Sequence, residues 1–350
     1  MLFKILPKSE LAGLFAALSE NDIIGPVHKG DNRAGTPLFD FARVTDFDTL
    51  RLDFTSTVHS AKRFVLPYRE TLSTFRITKD SWEKQVDFNI ERPFVLFGLH
   101  ACDINALNKL DKVLMGSVYP TPYYAAKRRN MFIIGIDCIP LSSCFCRSMG
   151  TDTALTGFDL FLTDLGERYF VEIRSAKAFQ FLKGLSLSDP ADSDHDLYLD
   201  KNTAMNAAFV AHVETSDLTK ILDLEFESPV WKDWGARCLS CGTCANVCPT
   251  CYCYGVEETV ALDLSSARKE KQLHSCNLVD FAEVAGGHNF RPESASRLKY
   301  RYYHKHRGFV EAFEESLCVG CGRCGRSCLA EINVPDVIAS IRHEEMVSDR

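Results

Sequence analysis

"CLSCGTCANVCPTCYCYG", residues 238–255, carries six cysteines between Cys238 and Cys253. Four of them, Cys238, Cys241, Cys244 and Cys248, follow the spacing C-x2-C-x2-C-x3-C, with Pro249 after the last. The spacing returns at Cys318, Cys321, Cys324 and Cys328, where Leu329 stands in place of the proline. Two-residue intervals let three thiolates converge on one face of a cube of iron and sulfide, while the fourth cysteine of each run reaches the other cube. The expectation is therefore two [4Fe-4S] clusters, one held by Cys238, Cys241, Cys244 and Cys328, the other by Cys318, Cys321, Cys324 and Cys248. Zinc knuckles also use paired C-x2-C loops, but a zinc site has no need of two runs of four with identical spacing.

Other signatures overlap these runs and lose to them. "CANVCPTC" contains the radical S-adenosylmethionine spacing, yet too little chain follows for a barrel. "GCGRCG" matches G-x-G-x-x-G, but no apolar strand precedes it and its glycines alternate with cysteines. Thioredoxin-type chemistry from one C-x-x-C pair is outweighed by the fuller pattern.

The 350 residues, 46% hydrophobic and 25% charged, have the balance of a globular protein large enough for two domains. With 47 acidic against 40 basic residues and a net charge of -7, the chain lacks the basic surplus of a dedicated nucleic-acid or anionic-membrane binder. No apolar run approaches the length of a membrane span, and Lys4, Pro7, Lys8 and Glu10 interrupt the N-terminus before a secretory segment forms. That stretch reads as an amphipathic helix from about Ser9 to Ser19. The expected location is the cytoplasm, where 15 cysteines point to metal or redox chemistry and away from a disulfide framework.

Upstream of the cysteine runs, "RPFVLFGLH" is a strand-like run. "DINALNKLDKVL" follows with Ile104, Leu107, Leu110 and Leu114 at helical spacing and Asp103 placed to cap them. "MFIIGID" is a second buried-strand run, so strand, helix and strand form a crossover unit and at least a partly parallel sheet. "FDLFLTD" and "RYFVEI" read as a hairpin, and "SLSDPADSDHD", residues 186–196, as the clearest loop. "NVPDVIASIRHEE" starts a helix at Asn333 and Pro335. The fold class is α+β: an N-terminal α/β domain, residues 1–228, followed by a mainly helical ferredoxin-like dicluster domain, residues 229–350. The long insert between the runs, residues 249–317, reads largely as helix and loop, as in the helical dicluster domains of fumarate and heterodisulfide reductase iron-sulfur subunits.

A second constellation comprises Cys102, Cys138, Cys144 and Cys146. Cys102 and Cys138 fall just past the carboxyl ends of the two expected strands, where open sheets gather their ligands. The following loop brings Cys144 and Cys146 toward them, giving four ligands for a third [4Fe-4S] cluster. The blander alternative is a set of buried, unreactive thiols. Cys251, Cys253 and Cys276 remain; packing or tuning of the clusters through S–H hydrogen bonds suits them better than ligation, because no fourth partner is evident.

"HACDINAL", "CFCRSMGTD", "CPTCYCYG", "VAGGHNFRP" and "CVGCGRC", in this order, resemble the beta subunit of archaeal sulfhydrogenases and the corresponding iron-sulfur subunit of anaerobic sulfite reductase, over about residues 90–335. The resemblance implies an electron-relaying subunit between a flavin- and NAD(P)-binding reductase partner and a catalytic partner. That partner is a hydrogenase, a sulfite reductase or a heterodisulfide reductase-like module. No phosphate-binding loop or hydrolytic triad contradicts this. Arg237, Arg323 and Arg326 beside the ligands would offset the charge of thiolate-bound cubes, or lie on solvated surface. Two competing readings remain. In one, the upstream site is an open iron that binds substrate, with Asp103 or Asp137 moving protons; helix capping or loop hydrogen bonds account for both aspartates more simply. In the other, "RLKYRYYHKHRG", residues 297–308, binds nucleic acid through stacked tyrosines, although a partner-docking face or solvated helix explains it better in an acidic chain. His288 reads as a turn residue.

Overall fold

The computed structural model describes residues 2–86, 88 and 92–343. Its strands are β1 (Leu2–Pro7), β2 (Asp22–Asp31), β3 (Pro37–Arg43), β4 (Arg69–Ile77), β5 (Trp82–Gln85), β6 (Phe94–Leu99), β7 (Met131–Ile136), β8 (Leu160–Asp164), β9 (Arg168–Ile173), β10 (Tyr254–Val260) and β11 (Ser266–Leu273). Seven of them form one sheet in the order β1-β9-β8-β7-β6-β2-β3. Its centre, β2-β6-β7-β8, is parallel and its margins are antiparallel. Every residue of β6 and β7 is buried, the condition under which a parallel strand reads as an unbroken apolar run.

The helix Ala101–Leu114 crosses between β6 and β7 and buries Ile104, Leu107, Leu110 and Leu114 against the sheet. Its N-cap is His100; Asp103 lies inside the first turn and pairs with a distant arginine instead of capping. The hairpin of β8 and β9 and the N-terminal helix, Leu11–Ala17 after a 3-10 turn, lie where the sequence placed them.

Two segments differ from expectation. A helix, Asp192–Ala207, begins inside the stretch read as loop. Asp192 and Asp194 in its first turn suit the positive end of the helix dipole, and Asp194 accepts the Ala191 N–H at 2.9 Å. The insert between the cysteine runs also holds β10 and β11 as well as helices. With β4 and β5 they form a four-stranded antiparallel sheet, order β10-β11-β4-β5, whose strands come from both sides of residue 228. These strands are polar and largely exposed, so no apolar alternation announces them. Glu70 of β4, buried between Lys271 of β11 at 2.5 Å and Lys127, ties this sheet to the helix Pro122–Arg129 that precedes β7.

The C-terminal part is mainly helical. Helices Val230–Arg237 and Ser294–Tyr303 pack so closely that a Cβ on Gly235 would stand 2.5 Å from Ala295 Cα. The second helix runs through a π-helical turn, His304–Gly308, into Phe309–Phe313. The helix Val334–Ile341 starts as expected, with Asn333 Oδ1 accepting the Asp336 N–H. Trp231, Trp234, Leu298, Tyr302, Val337 and Ile341 share the core of this part. Among the described residues no helix is long and apolar enough to cross a membrane.

Candidate metal centres

The two cysteine runs adopt one local conformation twice. In the first, Ser240 has φ 52° and Gly242 φ 78°; in the second, the matching Gly320 and Gly322 have φ 64° and 68°. Left-handed residues between right-handed ones turn successive N–H groups into a concavity of the kind that holds anions and iron-sulfur groups. The Gly320 N–H already donates to Cys318 Sγ at 3.4 Å, and Asn277 Nδ2 donates to Cys244 Sγ at 3.0 Å. Each run then enters a short helical turn, Thr243–Asn246 or Arg323–Arg326, and these two turns lie side by side. Among the described residues no three His, Cys, Asp or Glu side chains converge closely enough for a single metal ion.

Cations are buried among these thiols. Arg301 Nη1 donates to Cys251 Sγ at 3.4 Å and its Nη2 to the Cys244 carbonyl at 3.1 Å. Lys305 Nζ donates to Thr250 Oγ1 at 2.9 Å, which itself lies 3.4 Å from Cys248 Sγ. Lys62 Nζ donates to the Cys251 carbonyl at 2.7 Å. All three are buried, and none has a carboxylate ion-pair partner among the described residues. Burial alone would strip their protons; facing thiols oppose this and hold Arg301 and Lys305 above their ordinary pKa values, while burial prevails at Lys62. Burial pushes the thiols of Cys244 and Cys318 up to about 11, and a hydrogen bond from Cys251 holds Cys248 well below the usual thiol range.

Segment 297–308 is consequently no surface patch. Arg297, Arg301, Lys305 and His306 are buried, and only Gly308 in the segment is exposed. Arg301 and Lys305 face the cysteines and the loop after Cys248, while Lys299 and Arg307 turn to the Phe226 carbonyl and to Asp223 and Glu311.

The upstream cysteines come together. Cys102, Cys138, Cys144 and Cys146 line one cavity, with His100, Cys321 and Arg323 also in its wall. β6 and β7 run parallel, with Phe94 opposite Met131, so Cys102 and Cys138 follow strand ends on the same sheet edge. The loop bearing Cys144 and Cys146 is docked on the second cysteine run. Phe145 N–H donates to the Gly320 carbonyl at 2.8 Å, and Thr151 Oγ1 to the Val319 carbonyl at 2.8 Å. A Cβ on Gly320 would meet the Phe145 carbonyl carbon at 2.5 Å, and one on Gly322 the Ser143 oxygen at 2.4 Å, so this approach needs glycine at both positions. Burial drives the Cys138 thiol far above its ordinary range, while hydrogen bonding from Cys146, helped by Arg326, brings Cys144 down to about 6.

His100 was not singled out from the sequence. It stacks on Phe54 with ring centroids 4.2 Å apart, and burial, reinforced by Arg323, lowers it to about 3, which keeps it neutral. Its Nε2 is buried with no hydrogen-bond partner, an open nitrogen beside four cysteines. Arg323 is buried too, bonded to Asp103 at 2.7 and 3.0 Å and to Thr57. Arg326 reaches Ser143, Ser56 and the Cys321 carbonyl, with Cys144 Sγ at 3.8 Å. Arg237 lies over the Trp234 ring at 4.3 Å. Asp137 accepts the Asp164 N–H, the loop hydrogen bond expected of it, and the His288 carbonyl closes a turn onto Val284. Lys62, Arg301 and Lys305 were likewise not read as site residues, although Arg297, Arg301 and Lys305 recur every fourth residue, beside Leu298, Tyr302 and Phe309. That pattern marks an inward face.

Residues 237–332 match the family model described as a 4Fe-4S dicluster domain. The chain is 37% identical over 322 residues to sulfhydrogenase 2 subunit beta of Pyrococcus furiosus, a match that spans 91% of this chain and 92% of the relative. No solved structure matches it.

Proposed function

The chain belongs to the sulfhydrogenase beta-subunit family, and we propose that it is a cytoplasmic iron-sulfur electron-transfer subunit. It relays electrons between a catalytic partner, of the hydrogenase, sulfite reductase or heterodisulfide reductase-like kind, and a flavin- and NAD(P)-binding reductase subunit. In this reading Cys238, Cys241, Cys244 and Cys328 hold one [4Fe-4S] cluster and Cys318, Cys321, Cys324 and Cys248 a second. Cys102, Cys138, Cys144 and Cys146 hold a third. Clusters bound at these thiolates supply one-electron steps; the chain's own residues set their spacing, exclude water and provide counter-charge.

The observation that carries the proposal is the burial of Arg301 and Lys305 among cysteines, with no carboxylate among the described residues to neutralise them. A buried cation is costly unless a negative partner faces it, and thiolate-ligated cubes are the anions these positions suit. The cavity of Cys102 and Cys138 extends the path, because Cys321 lines it and Cys144 Sγ lies 3.6 Å from the Cys321 carbonyl.

Iron and labile sulfide, counted in protein purified without oxygen alongside the Cys138→Ser/Cys144→Ser variant, test the assignment. A loss of about four of each, with the EPR signals of the ferredoxin-type pair retained, supports the third cluster; unchanged counts remove it. Colourless, zinc-loaded protein without sulfide overturns the whole reading. Chains that co-purify from the native cell identify the partners, and a reductase lacking flavin would contradict the relay.

A further inference from the structure

The three cysteines left over by the motifs, Cys251, Cys253 and Cys276, line a single cavity together with His274. Strand register brings them there. β10 and β11 pair antiparallel with Tyr254 opposite Leu273, and the pairing carries one step past the strands, where His274 N–H donates to the Cys253 carbonyl at 2.9 Å. That bond sets Cys253 opposite His274, and the same register carried two residues further would place Cys251 opposite Cys276, at the start of the turn that follows β11. Residues directly opposite each other share a face, as do residues two apart along a strand, so all four belong to one face of the ribbon. The intervening positions behave as the other face should: Tyr252 and Leu273 pack on the large hydrophobic core. A Cβ on Gly255 would come within 3.0 Å of His274 Nε2, so glycine there makes room for the imidazole.

Charge in the cavity wall points to an anionic occupant. Arg301 and Lys305 both line it, and Arg301 Nη1 donates to Cys251 Sγ at 3.4 Å. The cavity adjoins the dicluster domain's own ligand positions. Asn277, next to Cys276, donates to Cys244 Sγ, and Cys251 lies within hydrogen-bond reach of Cys248. Three thiols and one imidazole in a single wall make a soft, four-donor set of the kind that ligates iron-sulfur groups.

We infer that Cys251, Cys253, Cys276 and His274 hold an additional [4Fe-4S] cluster, with three thiolates and one imidazole as ligands, beside the pair in the dicluster domain. Its place next to both Cys244 and Cys248 makes it a branch or entry point of the relay. The site stands on its own residues and needs neither the upstream cysteines nor any particular partner subunit.

The test uses the full chain purified without oxygen. Cys253→Ser and Cys276→Ser are each expected to lose about four irons and about four sulfides per chain, while the EPR signals of the ferredoxin-type pair persist and show that the fold is intact. Unchanged iron and sulfide overturn the inference, and so does one zinc per chain that the same substitutions remove. A second measurement avoids the serine variants. Pulsed EPR of the reduced, unsubstituted protein is expected to show a coordinated-imidazole nitrogen coupling that His274→Gln abolishes; no such coupling, or one that survives the substitution, removes His274 and with it the proposed ligand set. Absence of the ferredoxin-type signals from unsubstituted protein would instead count against the relay proposed above, which keeps the two failures apart.

Discussion

Replacing Lys305 by methionine removes one buried positive charge while keeping most of the side chain's length and packing. Lys305 Nζ donates to Thr250 Oγ1 at 2.9 Å, and that hydroxyl lies 3.4 Å from Cys248 Sγ. The charge therefore stands roughly 6 Å from a proposed ligand sulfur and about 8 Å from the middle of a cube bonded to it. With an effective dielectric of ~20, a unit charge at these distances is worth about 2–3 kcal/mol to an added electron. For a one-electron couple this equals ~90–120 mV. Lys305→Met is thus expected to make the cluster assigned to Cys248, Cys318, Cys321 and Cys324 harder to reduce, lowering its potential by ~100 mV. The upstream site, farther away, is expected to move much less. An EPR-monitored redox titration reads both. A shift below about 20 mV at every cluster, in protein that keeps its iron, would refute the claim that Lys305 is counter-charge for a cube, and an upward shift would refute the sign of the argument.

Three further perturbations follow from named contacts. Arg323→Met leaves Asp103 buried and unpaired, and is expected to cost roughly 3–5 kcal/mol in denaturant unfolding; adding Asp103→Asn should restore part of that loss. Gly320→Ala forces a side chain onto a backbone at φ 64° and against the Phe145 carbonyl carbon at 2.5 Å, so it should displace the loop bearing Cys144 and Cys146. The readout is loss of about four irons with the ferredoxin-type signals retained. His306 is buried and lowered to about 3, by burial first and then by Lys305. Because its folded pKa lies below the ordinary value of about 6.5, the unfolded chain takes up a proton that the folded chain refuses. This contribution to stability is complete above about pH 6.5 and is lost as pH falls toward about 3, amounting to ~1.4 kcal/mol by pH 5.5. His306→Gln should flatten the pH dependence of unfolding by that amount, and an unchanged slope between pH 7.5 and about 5.5 would show that His306 takes up its proton as readily in the fold as in the unfolded chain.

What the sequence revealed depended on whether a signal was local. Ligand spacing is local, and so is the apolar run of a strand buried on both faces; hence the cysteine runs, β6, β7 and the helix between them were legible. The polar strands β10 and β11 were not, because β11, which carries β10 on its other edge, pairs with β4, distant in sequence, where Glu70 is held between Lys127 and Lys271. Asp103 was misread for a similar reason: its position in a first turn suggests a cap, while its actual partner, Arg323, lies far along the chain. The segment 297–308 shows how composition misleads. Five arginines and lysines among tyrosines look like a surface for anions, but spacing every fourth residue turns Arg297, Arg301 and Lys305 toward the interior, and composition carries no information about which face is buried. Cys251, Cys253 and Cys276 lacked an evident fourth partner for a complementary reason. Their grouping appears only once the register of β10 and β11 is known.

The buried cations also bear on how the protein assembles. Without clusters, Arg301 and Lys305 would sit in a dry interior where burial raises Cys244 and Cys318 to about 11 and only Cys248 is held well below the usual thiol range, so uncompensated positive charge would oppose folding by several kcal/mol. With clusters bound, the same thiols are thiolates by coordination and the penalty turns into attraction. Metal binding and folding are then one equilibrium, as in other sites whose ligands must lose protons to bind. The ordering of the loop at Cys144 and Cys146 follows the same logic at one remove, because it is docked on Gly320 and Gly322 of the second cysteine run. The upstream site is expected to form only after that run is loaded: during reconstitution with iron and sulfide, the ferredoxin-type EPR signals should rise first. Signals from the upstream site that appear first, or that survive in a Cys318→Ser variant lacking the second cube, would show that the two sites fold independently.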